Sequence, residues 1–238
     1  MNKTTTIIAM IGGLTLGSAM SADAQTPANF LNISAGSQFQ SRTFSAITTF
    51  ELFGETGSVT ANQTVGSGFV FDVTGGRRFW RSLGVAVGVS TFTGSGSAAA
   101  IAAIPNPLFF GKHTLKTFTD ADYGDLKQST VAINFQIVWM KALTDRLDLS
   151  IFAGPSVMRV KQELASGTAE LNSVAAISSE SKTTARAGTG GVDLTYRLND
   201  RYGIGGFVRY AGGEAEFEAV PKLKVGGAQA GGGIRIRF

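Results

Sequence analysis

Between residues 29 and 238 the chain repeatedly alternates one greasy residue with one small or polar residue. A period of two places successive side chains on opposite faces of a β-strand, whereas a helix would repeat near 3.6. About eight such stretches can be read. The first, about 29 to 42, sets Leu31, Ile33, Ala35 and Phe39 against Asn32, Ser34, Gly36, Gln38 and Gln40. The others run about 65 to 78, 82 to 93, 129 to 140, 147 to 160, 187 to 198, 202 to 212 and 225 to 238. Phe207 breaks the alternation and is expected to pack inside.

The connections alternate in length. Residues 78–82, 141–146 and 199–201 are short turns, while 43–64, 94–128, 161–186 and 213–224 read as long loops. Phe79, Trp80, Trp139, Tyr196, Tyr202 and Phe238 gather beside the short turns, where amphipathic rings suit a membrane interface. A soluble sandwich also alternates but would not predict that placement. The expected fold is all-β: an eight-stranded antiparallel up-and-down transmembrane β-barrel, with both termini on the periplasmic side.

Met1-Asn2-Lys3, an apolar run from Ile7 to Leu16 and the closing Ala22-Asp23-Ala24 have the three-part layout of a secretory signal. The expected organisation is a signal peptide at 1–24 and a barrel at 25–238, exported through a Sec-type signal to the outer membrane of a Gram-negative-type envelope. No later apolar run reaches the ~20 residues of a spanning helix. Cysteine is absent, so no disulfide framework holds an exported chain. The net charge of +4 comes from scattered Lys and Arg without a basic helix or aromatic-interleaved patch, which argues against nucleic acid and suits anionic headgroups.

Taken together, Ala22-Asp23-Ala24, the eight stretches and the terminal Arg235-Ile236-Arg237-Phe238 make the chain resemble the small outer-membrane β-barrel proteins, the OmpA-barrel and OmpX-like group. The resemblance implies that Phe238 acts as an assembly signal read by the barrel-assembly machinery. It also implies outer-membrane lipid and lipopolysaccharide as surroundings, with an extracellular ligand possible through the loops.

On the polar parity, Asp72, Asp193, Arg209 and Arg235 are expected to form a structural network in the lumen, with Gln38, Asn134, Gln136 and Gln229 as neighbours. An eight-stranded barrel has room for little beyond its own side chains, and an isolated ion there is costly. The function expected is a structural or surface-recognition role, non-catalytic, without cofactor or metal. One alternative is a narrow small-solute channel. The other, from the resemblance, is a lipid-A-modifying acyl enzyme, for which the single histidine, His113, near Asp120 and Asp122, is the candidate base. The apolar stretch Ala98 to Phe110, broken by Pro105 and Pro107, is expected to fold over the rim or rest on the outer leaflet, with partner recognition as the other reading. Glu214, Glu216 and Glu218 read as an exposed edge or loop.

Overall fold

The computed structural model describes residues 28–238 apart from 40, 124, 171–172 and 218–219. The signal segment expected at 1–24 lies outside the described residues, as do Gln40 and Glu218. Among the described residues the strands are β1 (Asn29–Gln38), β2 (Arg42–Leu52), β3 (Glu55–Trp80), β4 (Leu83–Pro105), β5 (His113–Phe118), β6 (Leu126–Ala142), β7 (Leu147–Glu170), β8 (Ser173–Arg197), β9 (Tyr202–Phe217) and β10 (Val220–Arg237). One helical turn, α1 (Asp120–Tyr123), precedes β6.

Eight of these strands close a ring by antiparallel pairing in the order β1, β3, β4, β6, β7, β8, β9, β10 and back to β1. Closure leaves no open edge, so every strand in the ring can satisfy its backbone groups within the sheet. The short turns are fixed by local chemistry. Asn199 Oδ1 accepts from the backbone N–H groups of Arg201 and Tyr202 at 2.9 and 2.8 Å, and Thr144 Oγ1 does the same for Arg146 and Leu147 at 3.3 and 3.1 Å. Between β3 and β4 the turn is tighter, with Arg81 at φ 31°.

The two faces divide as the alternation requires. Val85, Val87 and Val89 on β4 and Val131, Ile133, Phe135 and Ile137 on β6 are exposed, whereas Ala86, Ala132, Asn134 and Gln136 between them are buried. This inverts the soluble arrangement: greasy side chains outside, polar ones within. The belt occupies nine residues on β6, from Val131 to Trp139, which matches the ~9–11 residues of a tilted membrane-spanning strand. Phe79, Trp80, Trp139, Tyr196, Tyr202 and Phe238 are exposed at its short-turn end. No helix among the described residues is long and apolar enough to cross a membrane.

Beyond the belt the structure corrects the loop assignment. The stretches 43–64, 94–128, 161–186 and 213–224 are largely strand. β7 and β8 stay paired from Leu147↔Tyr196 out to Glu170↔Ser173. Above the ring, β2 takes the place of β1 along β3, and β5 takes the place of β6 along β4, giving a four-stranded sheet β2-β3-β4-β5. A bulge between Val65 and Gly68 marks the step from ring to upper sheet. Ladders persist past the belt because the segments keep β-compatible Val, Thr and Ala and because inward positions still find apolar partners. Val59, Ala61, Ala98, Ala100, Ala102, Phe118, Leu126 and Ala165 form one buried cluster. Ala46, Met158, Val160, Ala185, Ala211, Leu223 and Val225 belong to a second.

Candidate functional site

Two features remain as candidates for function: the polar lumen, and the head built above it. In the lumen, strands far apart in sequence bring Arg209 Nη1 to 2.8 Å from Asp72 Oδ2. The same guanidinium donates through Nε to Gln229 Oε1 at 2.7 Å, and Gln229 Nε2 donates to Gln38 Oε1 at 3.0 Å. One layer nearer the termini, Arg235 holds Asp193 through Nε, at 3.2 and 3.1 Å to the two oxygens, and through Nη2, while Nη1 donates to Ser34 Oγ at 2.9 Å. The structure therefore groups the four expected residues as two ion pairs, Arg209 with Asp72 and Arg235 with Asp193. Asn134 bonds Ser90 and Ser156 rather than either pair. Phe207 is buried in the lumen with its ring 5.1 Å from the Arg209 guanidinium.

Several contributors, Ser34 among them, escaped the sequence reading. Thr74 donates to Asp72 Oδ1 at 2.9 Å and Thr195 to Asp193 Oδ1 at 2.8 Å. Both lie in an Asp-x-Thr pattern, whose spacing puts acid and hydroxyl on one strand face, and that repeat could have flagged them. A third carboxylate, Asp148, is buried at the short-turn end, where it meets the largely shielded Arg237 and Arg197. Arg197 is a diagonal neighbour of Asp148 across the β7–β8 ladder, whereas no local signal marks Arg237, because β10 reaches Asp148 only when the ring closes.

The paired residues fill the bore. Cavities of about 30 Å³ on the head side and about 50 Å³ on the terminal side flank the Arg209 layer. Since one water needs ~10–15 Å³ of such space, each has room for a few waters and no solute of metabolite size. Further up, the inward faces of the upper sheet and of β7 and β8 meet over the two apolar clusters, closing the mouth with a small sandwich. Gln63 Nε2 donates across it to the Glu163 carbonyl at 3.3 Å, and the backbone N–H of Lys127 donates to Glu163 Oε2 at 2.8 Å.

The apolar stretch Ala98 to Phe110 does not lie over the rim. Ala98, Ala100 and Ala102 are buried in β4, Ala99 and Ile101 face outward on the same strand, and Leu108, Phe109 and Phe110 are exposed at the tip of the β4–β5 hairpin. Pro105 and Pro107 flank the end of the ladder, where a missing N–H costs least. The tip is held firmly. Asn106 Oδ1 accepts from the N–H of Leu108 and Phe109, and the Glu55 carboxylate accepts from Gly111 N at 3.1 and 3.0 Å. His113 Nε2 lies 3.2 Å from the Thr56 carbonyl. Asp120 accepts from Ala98 N and Asp122 from Thr119 N and Oγ1, bonds that hold the Asp122 carboxyl below its usual range. Neither acid is paired with the imidazole, so the sequence neighbours of His113 make no base–orienter array. Among the described residues no cluster of His, Cys, Asp and Glu is arranged to hold a metal ion.

No protein-family model and no curated protein matches this sequence. Solved structures do. The outer membrane protein OprG of Pseudomonas aeruginosa is 12% identical, with 90% of this chain and 97% of that chain covered at a TM-score of 0.51. Neisserial surface protein A is 13% identical, with 88% of this chain and 96% of that one covered at 0.47. At such identities the likeness is one of fold. The ring of eight strands, its apolar belt and the OprG match agree: this chain has the fold of the small outer-membrane β-barrels, the group its sequence resembles.

Proposed function

We propose that this protein is a non-catalytic pedestal of the outer membrane, exported on residues 1–24, that displays a rigid recognition head outside the cell. The observation that carries this reading is the closed mouth. Where a pore would need a continuous aqueous path, the chain places two apolar clusters and the Arg209 layer. The ion pairs are structural in this reading, and they stiffen the barrel beneath the head. The most prominent feature of the head is the Leu108-Phe109-Phe110 tip. Sixteen residues of β4 separate Val89 in the belt from Pro105, roughly 50 Å of strand at about 3.3 Å per residue, which carries the tip well clear of the rim. Exposed, firmly held aromatic residues contribute contact area at small entropic cost.

The test is a comparison of the intact protein with a Leu108→Ser, Phe109→Ser, Phe110→Ser variant on immobilised extracellular-matrix proteins and glycans. The variant is expected to keep its stability within about 0.5 kcal/mol, because all three side chains are exposed. It should lose at least tenfold in affinity for whichever ligand the intact protein retains. In planar bilayers the intact protein is expected to stay electrically silent. Discrete conductance steps at neutral pH would instead favour the solute-channel reading, and a lipid-A change that disappears with His113→Ala would favour an enzyme.

A further inference from the structure

On the outward face of β7 and β8 the greasy belt ends abruptly in cations. Up β7 the exposed positions run Ile151, Val157, then Arg159 and Lys161, and up β8 they run Leu194, Val192, then Arg186 and Lys182. Across the ladder Arg186 pairs with Val157, Arg159 with Thr184, and Lys161 directly with Lys182. At comparable height on β4 and β3 the outward residues are Thr91, Thr93 and Ser67, without charge.

Like charges facing each other across a ladder are destabilising, so the Lys161–Lys182 pair is an arrangement that a bound anion would relieve. Carboxylates are present, but one step further from the belt, where Glu163 faces Glu180. Glu180 bonds Lys182 at 2.5 Å, and this ammonium, with Lys161 adding to it, holds the Glu180 carboxyl below its ordinary range. Arg186 has Glu214 as its neighbour on β9. On β7 and β8 charge is thus sorted by height, with cations where hydrocarbon gives way to headgroups and acids above them, while Glu214 stands level with Arg186 on β9. An ion free in solution has no reason to prefer that order. A phosphate fixed at the headgroup plane does.

We propose that Arg159, Lys161, Lys182 and Arg186 form a seat for the phosphate of a lipid headgroup in the leaflet on the head side of the barrel. The lipid's acyl chains would lie along Val157, Val131 and Ile133, which continue the same outward face. This goes beyond the recognition role of the head and does not depend on it.

Native mass spectrometry of the detergent-solubilised barrel tests the seat, with phosphatidic acid as probe, diacylglycerol as its uncharged companion and inorganic phosphate as soluble competitor. The intact barrel should retain phosphatidic acid in preference to diacylglycerol. Lys161→Gln with Lys182→Gln should weaken that retention roughly thirtyfold, from about fivefold per lysine near a lipid surface. Lys112→Gln, an exposed lysine on the β4–β5 hairpin far above the headgroup plane, should leave it within about twofold. Heat-shifted electrophoretic mobility checks that each variant is folded. Equal retention of the two lipids, or unchanged retention by the folded double variant, overturns the proposal. So does full displacement by equimolar inorganic phosphate, which would mark a site for the free ion.

Discussion

Replacing Asp193 with alanine should lower the unfolding free energy of the barrel by about 3–5 kcal/mol, the range for removing one partner of a buried ion pair. The side chains of Arg235 and Asp193 are only 4% and 8% exposed, so the small values typical of surface pairs do not apply. Asp193→Ala leaves the Arg235 guanidinium with Ser34 Oγ and the Ile234 carbonyl but no countercharge, deep in a bore too narrow to hydrate it fully. The temperature at which the folded form gives way on semi-native gels should fall by about 10 °C, at roughly 2–4 °C per kcal/mol for a chain of this size. The informative partner experiment is the double variant Asp193→Leu with Arg235→Met. If the pair matters for stability only because each ion needs the other, the double variant recovers most of the loss, since apolar replacement of a buried pair is often neutral. Asp72 and Arg209 should behave alike, because they show the same burial and the same threonine support. Full stability in both aspartate single variants would remove the structural role proposed for the network.

The second large effect is expected at the seam between β1 and β10. Gly36 and Gly231 are register partners there. A Cβ on Gly36 would fall 2.2 Å from the Ala230 carbonyl oxygen and 2.7 Å from the Gly231 Cα, and one on Gly231 would fall 2.2 Å from the Ala35 carbonyl oxygen. These obstacles are backbone atoms, which a rotamer change cannot move, so a side chain forces the two strands apart. Gly231→Val should therefore cost more than about 4 kcal/mol, the exceptional range for a single substitution, despite the better strand propensity of valine. Nine register pairs, from Phe30↔Arg237 to Gln38↔Gln229, depend on that approach. Gly188→Val is the control, because a Cβ there meets nothing within 4 Å. The check is the fraction of refolded protein in detergent that shows heat-modifiable mobility. The seam variant should lose most of it and the control should keep it; equal folding of the two would show that the strands can separate at little cost.

Much of the ring was legible because alternation is a local property. Val131, Ile133, Phe135 and Ile137 against Ala132, Asn134 and Gln136 specify a strand and both its faces without knowledge of any neighbour. The upper sheet was harder to read for a reason visible in Ala98-Ala99-Ala100-Ile101-Ala102-Ala103: both parities are small and apolar, so a period of two carries no contrast. Residues 161–186 failed differently. Their alternation is real, but with Lys161, Lys182 and Arg186 on the outward parity it resembled a polar loop, because a strand above a membrane faces water rather than hydrocarbon.

The sequence by itself determined the strand period, the greasy outward face, the aromatic girdle at the short turns and the chemical identity of the lumen charges, since each follows from neighbours one or two residues apart. Which charge meets which was decided only by the tertiary structure. Arg209 and Asp72 are 137 positions apart, and Arg235 and Ser34 are 201 apart. Their contact depends on how far each strand is staggered when the ring closes, a sum over eight registers that no short window of sequence contains. The closed mouth likewise exists only because the upper sheet and the β7–β8 hairpin bury thin alanine faces against each other above the membrane.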